Sequence, residues 1–117
     1  MPKNFSRSKR VGDVIHRTLA LAISREFKDP RIGMVTVMDV RITPDLKFAR
    51  VYITILEEEK KNETLKILNE AAGFFRRYLA STLQLRTIPH VRFVFDGSLL
   101  RGVRIASLLD RVVRDRA

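Results

Sequence analysis

The sequence predicts a two-layer α+β domain, with helices packed on one face of a three-stranded sheet. Its hydrophobic patterns follow the order helix, strand, strand, helix, bend, helix, strand, and a last helical segment ends the chain. The length of 117 residues suits one domain, and 45% hydrophobic with 31% charged residues describes a globular chain. We therefore expect residues 1–117 to form a single domain with flexible ends at about 1–5 and 110–117.

The first helix is predicted by apolar residues that recur every three or four positions. They are Val11, Val14, Ile15, Leu19, Ala22, Ile23 and Phe27. We expect Ser6 or Ser8 to cap its start. Asp29-Pro30 should end it, because the residue before a proline avoids the helical region.

Two strands are predicted next, in MVTVMDVRI after Gly33 and in FARVYITIL from Phe48. The second alternates between two faces. Its inward residues would be Ala49, Val51, Ile53 and Ile55, and its outward residues Phe48, Arg50, Tyr52 and Thr54. Because Thr43-Pro44-Asp45 supplies turn chemistry between them, the simplest arrangement is an antiparallel hairpin.

A helical region from Asn62 to Leu83 keeps one apolar stripe throughout, formed by Leu65, Leu68, Ala72, Phe75, Leu79 and Leu83. As a straight rod it would be roughly 33 Å long. Gly73 lies in its interior, where glycine costs about 1 kcal/mol relative to alanine. We expect a bend at Gly73 that keeps both halves on the core. The alternative is a packing glycine where two helices cross.

The third strand is predicted in VRFVF, with Val91, Phe93 and Phe95 facing inward. A last helix would begin at a Ser98 cap. Its apolar residues would be Leu109, Val112 and Val113.

Of the overall properties of the sequence, net charge indicates most about function. The chain has 23 basic and 13 acidic residues, a net charge of +10. No acidic residue occurs in the first ten residues or between Glu70 and Asp96, whereas Glu57-Glu58-Glu59 concentrates acids elsewhere. Such segregation favours a polyanionic partner.

Several functional classes are excluded or disfavoured. Cysteine is absent, which excludes disulfides and thiolate chemistry. His16 and His90, the only histidines, have no metal-ligand spacing partner, and we expect His16 to be solvated or RNA-facing. No phosphate-loop motif, export signal or membrane-length apolar run is evident. We therefore expect no catalytic site, cofactor, metal or membrane partner.

The outer face of the sheet is a weaker candidate site. There Phe48, Arg50 and Tyr52 would present two aromatic rings and a cation, on which bases could stack. Cover by the terminal segments is the alternative.

Motifs spread over most of the chain resemble the ribosome-binding factor A family. They are Arg10-Val11, KDPRIGMVTVMDV from Lys28, TPDLKFARVYI from Thr43, AAGFFRRYL from Ala71, LRTIPHVRFVFD from Leu85, and Ser98 with Gly102, Arg104 and Ile105. The chain departs from the family pattern at Gly97 and Leu100, where acids are common.

The resemblance implies a type II KH-like fold, in which an Ala-x-Gly kink replaces the GXXG loop that clamps single-stranded nucleic acid in KH domains. Ala71, Ala72 and Gly73 match that kink. We expect RNA contacts from two groups of residues and from Arg31. The first helix region would supply Lys3, Arg7, Lys9, Arg10 and Arg17, and the segment beside the kink would supply Arg76, Arg77 and Arg86.

The resemblance also implies function: a monomeric, cytoplasmic, non-enzymatic factor that binds the immature 30S subunit and 16S rRNA. It would assist late maturation of the 5′ region of that RNA, also during growth in the cold. Two alternatives remain open. One is a general KH-type RNA chaperone without preference for ribosomes, and the other is a basic protein-interaction module.

Overall fold

A computed structural model describes residues 3–96 of the chain, and their side chains from Arg7 onward. The predicted last helix with its Ser98 cap, the Gly97 and Leu100 departures, and the end at 110–117 lie outside this range.

The order of elements is the predicted one. The elements are α1 (Lys3–Leu21), a π-helical turn (Ala22–Glu26), β1 (Val35–Ile42), β2 (Phe48–Ile55), a 3-10 turn (Glu58–Lys60), α2 (Lys61–Glu70), α3 (Ala72–Thr82) and β3 (His90–Phe95). This confirms the mixed α+β class with its three-stranded sheet.

The predicted start of the first helix is wrong. α1 begins at Lys3, so Ser6 and Ser8 lie inside the helix rather than at its start. Residues 3–8 contain neither glycine nor proline, so no residue there stops the helix from extending. Ser8 lies on the inner side of the helix and is only 8% exposed. At the other end, Phe27 N–H donates to the carbonyl of Ala22 at 2.8 Å and the backbone turns extended before Pro30.

The sheet has the order β1-β2-β3. β1 and β2 pair antiparallel, as the predicted hairpin requires, whereas β2 and β3 pair parallel. A parallel pair needs a crossover connection, which α2 and α3 provide. In the turn between β1 and β2, the Thr43 hydroxyl donates to Asp45 Oδ1 at 2.6 Å. Leu46 there is held at a φ of 62°.

The helices cover one face of the sheet, where α1 packs on β1 and α3 on β3. Ala49, Val51 and Ile53 of β2 are buried, as predicted. The rings of Phe75 and Phe93, both almost fully buried, meet edge to face with centroids 5.2 Å apart. On the opposite face Phe48 is 57% exposed. The alternation read from the sequence therefore separates the core face from an open face.

His16 was expected to be solvated or RNA-facing, and the structure corrects this. The side chain is half-buried, and its Nε2 lies 2.7 Å from the carbonyl oxygen of Val37. Val37 borders the β-bulge of β1, where pairing with β2 shifts before Asp39. A bulge interrupts the ladder of strand hydrogen bonds, so His16 binds a strand backbone group from the helical layer.

Candidate nucleic-acid interface

The first group of candidate residues lies along α1. Arg7, Lys9, Arg10 and Arg17 are all exposed, whereas Ile15 and Leu19 on the other side of the helix are fully buried. Arg10 and Arg17 are seven positions apart, about two helical turns, so they share the outer side. Lys3 is the first residue of α1, and its side chain is outside the described residues.

The bend between α2 and α3 is centred on Ala71 rather than Gly73. Ala71 has φ −91° and ψ 12°, outside the helical region. Its N–H is shared between the carbonyls of Ile67 at 3.0 Å and Leu68 at 3.2 Å, and its own carbonyl accepts from Phe75 N–H at 3.2 Å. Hydrogen bonding therefore continues through the bend, which explains why the apolar stripe keeps its phase.

Gly73 is the second residue of α3 and is exposed. Among residues 7–96, a Cβ built on it would meet no atom of another element, only Nη1 of Arg77 at 3.3 Å, the flexible end of a long side chain. Nor does Gly73 have a positive φ. The alternative of a packing glycine at a helix crossing is therefore wrong, and neither packing nor backbone conformation requires glycine here.

Two arginines follow in α3, and the structure uses them differently. Arg76 donates from Nε and Nη2 to the carbonyl oxygen of Ile88, at 3.4 and 3.2 Å. This contact ties α3 to the segment before β3 and leaves the side chain exposed. Arg77 folds back beside Gly73. Arg86 is exposed in the same connecting segment.

Arg31 differs from the other candidates because its charge is already paired. Its Nε and Nη2 donate to the two carboxylate oxygens of Asp29, at 3.0 and 2.8 Å. The side-chain bond from Arg31 lowers the pKa of Asp29 to about 2, and the same bond raises the pKa of Arg31. A phosphate would have to compete with a bidentate carboxylate for this guanidinium.

The fold brings two of the predicted groups into one layer, because α1 and α3 pack against each other. The α1 residues therefore share the helical layer with Arg76 and Arg77, while Arg31 lies in the loop before β1. That these residues contact RNA stays a prediction.

Sequence reasoning missed Arg41 and Arg92. Register places Arg41 beside Arg50 and Arg50 beside Arg92, in one row across the open face of the sheet. Alternation along each strand could have assigned these residues to the outer face. Strand order and register were needed to make them neighbours.

Within residues 3–96, no group of three histidine, cysteine or acidic side chains is suited to hold a metal ion. Nor is any helix there long and apolar enough to span a bilayer.

Comparison with known proteins gives consistent results. The family model of ribosome-binding factor A matches residues 7–109. The chain is 44% identical to ribosome-binding factor A of Stutzerimonas stutzeri, over 98% of this chain and 92% of that protein.

Solved structures that are similar to this chain in fold are also of ribosome-binding factor A. The crystal structure of ribosome-binding factor A from Thermus thermophilus has a TM-score of 0.66 at 28% identity, covering 74% of this chain and 93% of that one. A homology model of the Thermus thermophilus factor, fitted into a cryo-EM map of its complex with the 30S subunit, has a TM-score of 0.64 at 27% identity. That similarity covers 74% of this chain and 91% of the fitted one.

Proposed function

The chain belongs to the ribosome-binding factor A family, and on that premise we propose that it is a non-enzymatic assembly factor of the small ribosomal subunit. It binds the immature 30S subunit and its 16S rRNA and assists late maturation of the 5′ region of that RNA. It acts as a monomer in the cytoplasm, and its contribution is greatest in the cold, when misfolded RNA rearranges slowly.

The observation that carries this proposal is the extent of the family match, residues 7–109. The match includes the bend and both groups of exposed arginines in the helical layer. The fitted Thermus thermophilus relative, which resembles this chain in fold, was placed in a complex with the 30S subunit. These findings together favour a ribosomal partner over free RNA.

The mechanism requires no bond to be made or broken. A protein that binds one RNA conformation more tightly than another shifts the population toward it, by an amount set by the difference in affinity. Exposed arginines beside the bend contact phosphates, which position the protein without reading sequence. Gly73 supports this role, because without a side chain it lets a phosphate approach the backbone of α3.

Co-sedimentation with purified 30S particles tests the proposal. Arg76→Glu with Arg77→Glu should abolish binding that the wild type shows at low salt. The matched control is Arg25→Glu with Lys66→Glu, which changes the net charge equally at exposed positions that are not among the predicted contacts. Because Arg76 also binds the Ile88 carbonyl, Arg77→Glu alone and a thermal melt separate lost contact from lost folding. If the control variant lost 30S binding to the same extent, the bend would not be part of the binding site.

Salt dependence gives a second measure. The logarithm of the binding constant should fall with the logarithm of salt concentration by roughly 0.7 to 0.9 per phosphate contacted. A flat response would contradict phosphate-based binding.

The alternatives predict different partners. A general RNA chaperone would bind 30S particles, 50S subunits and free RNA alike, and a protein-interaction module would keep its partner after nuclease treatment.

The role in the cold predicts that a deletion strain accumulates immature 16S rRNA chiefly at low temperature. If the Arg76→Glu, Arg77→Glu variant restored 16S rRNA maturation in the deletion strain, this would argue against the bend as the binding site.

A further inference from the structure

The open face of the sheet carries an arrangement that the proposed function does not use. Arg41, Arg50 and Arg92 lie side by side on the three strands, in one row perpendicular to them. Neighbouring strands are about 4.8 Å apart, so the row spans about 10 Å at the backbone. All three side chains are exposed.

This row is unfavourable for the fold by itself, because like charges directly opposite each other destabilise a sheet. Only Arg41 is relieved, by an ion pair with Asp39 at 3.0 Å. Neither Arg50 nor Arg92 has a carboxylate within ion-pair distance among residues 7–96. Such uncompensated charge is suited to a polyanionic ligand.

Aromatic side chains flank the row. On one side the register pairs Phe48 with His90, whose ring centroids are 5.7 Å apart and inclined at 31°. On the other side lies Tyr52, half-buried. Phe48 and Tyr52 are each two residues along β2 from Arg50, or about 7 Å. Together these side chains line a basin of about 580 Å³.

Aromatic platforms beside cations are the means by which proteins bind unpaired bases and the backbone that joins them. Duplex bases are already stacked on each other and cannot lie on such a platform. We propose that the open sheet face binds single-stranded RNA, with the arginine row contacting phosphates and the Phe48–His90 pair stacking a base.

Charge argues against two other occupants. A second copy of the chain would oppose one arginine row with another. The segment 97–117 contains five arginines against two aspartates, so it too would repel the row. An acidic protein would pair with the three arginines, but it would not explain why the aromatic ring of Phe48 is exposed beside them.

The site is separate from the bend, so the proposal goes beyond the proposed function and can fail without it. The test is fluorescence anisotropy of the full chain with a labelled single-stranded RNA of about ten nucleotides, within the range that one small domain covers. Arg50→Gln with Arg92→Gln should reduce the log–log salt slope by about 1.4, or 0.7 for each phosphate contact. Arg25→Gln with Lys66→Gln is the matched control and should leave the slope unchanged.

Phe48→Ala tests the stacking without changing charge. It should weaken binding roughly 5- to 150-fold, the range found for one stacked base. Met34→Ala is its control, because Met34 is 64% exposed and lies outside the basin. All variants are at exposed positions, and thermal melts verify that they fold. Binding of a duplex of the same sequence should not respond to Phe48→Ala.

The proposal is overturned if the Arg50, Arg92 and Phe48 variants behave as their controls do. It is also overturned if polyglutamate displaces the RNA at equal charge concentration, which would indicate an acidic protein, or if the matching DNA strand binds more tightly than RNA. Repeating the titration with Arg76→Glu, Arg77→Glu separates the two sites. That variant should lose 30S binding and retain the response to Phe48→Ala.

Discussion

Asn69, near the end of α2, hydrogen-bonds both backbone groups of Phe93 in β3. Its Nδ2 donates to the Phe93 carbonyl at 3.0 Å, and Phe93 N–H donates to its Oδ1 at 2.8 Å. Within residues 3–96 β3 is an edge strand, so that part of the chain offers these backbone groups no neighbouring strand to bind. Asn69 therefore occupies the place of a strand partner and fixes α2 to the sheet just before the bend at Ala71.

We expect Asn69→Ala to lower the free energy of unfolding by about 2 kcal/mol, because the N–H and carbonyl of the buried residue Phe93 lose their partners. Urea denaturation measures this, and faster amide exchange at Phe93 would locate the effect. Asn62→Ala, at an exposed position of the same helix, is the control. Equal stability of the two variants would show that water replaces the Asn69 bonds without cost.

Gly73→Ala should leave stability unchanged or raise it by up to about 1 kcal/mol. In the described part of the chain the added methyl group meets only the end of the Arg77 side chain, and alanine is the better helix former. We expect the same variant to bind 30S particles more weakly, because the methyl group blocks approach to the backbone. Urea denaturation and co-sedimentation measure the two effects. A destabilised variant would contradict the open surroundings of Gly73.

Gly33→Ala should have the opposite effect on stability. Gly33 is buried, and a Cβ there would clash with Glu57 Oε2 and lie 3.0 Å from Ile55 Cγ2. The Glu57 carboxylate would have to move, and it would lose the hydrogen bond that Met34 N–H donates to its Oε2 at 2.7 Å. We expect a loss of roughly 1–3 kcal/mol, as for other overpacked sites.

A double-mutant cycle with Glu57→Ala tests the cause of that loss. If the clash with Glu57 is responsible, Gly33→Ala should cost less when the carboxylate is absent. Additive effects would point instead to Ile55.

The Asp29–Arg31 pair should contribute a pH-dependent part of stability. The folded-state pKa of Asp29, about 2, lies below the usual value of about 3.9 in an unfolded chain. The unfolded chain therefore binds more protons in this interval, and stability rises with pH. The contribution is complete above about pH 4 and is lost as pH falls through about 2.

An NMR titration of the Asp29 carboxyl carbon measures this pKa directly. Arg31→Gln should move it back toward the ordinary aspartate value, because the side-chain bond from Arg31 is the main cause of the shift. In urea denaturation, the stability difference between the wild type and Asp29→Asn should shrink as the pH falls below 4. A constant difference would show that the pair does not stabilise the fold through its charge.

The sequence by itself determined the element order, the hairpin, the inward and outward residues of β2 and the segregation of charge. The elements and the faces of β2 follow from the period of apolar residues, the hairpin from its turn residues and the segregation of charge from composition along the chain. All of these are local properties that can be read without knowledge of tertiary contacts. The position of the bend was missed by two residues for a related reason. Glycine marks low helix propensity, whereas the actual break lies at Ala71, a residue type that favours helices and whose φ and ψ only the structure shows.

Only the tertiary structure decided what depends on groups far apart in the chain. The parallel register of β2 and β3 made Arg50 and Arg92 neighbours, and docking of α2 on the sheet edge paired Asn69 with Phe93. His16 became a partner of Val37 because α1 crosses the bulge of β1. Such contacts are set by the packing of whole elements, whose relative placement no local pattern records.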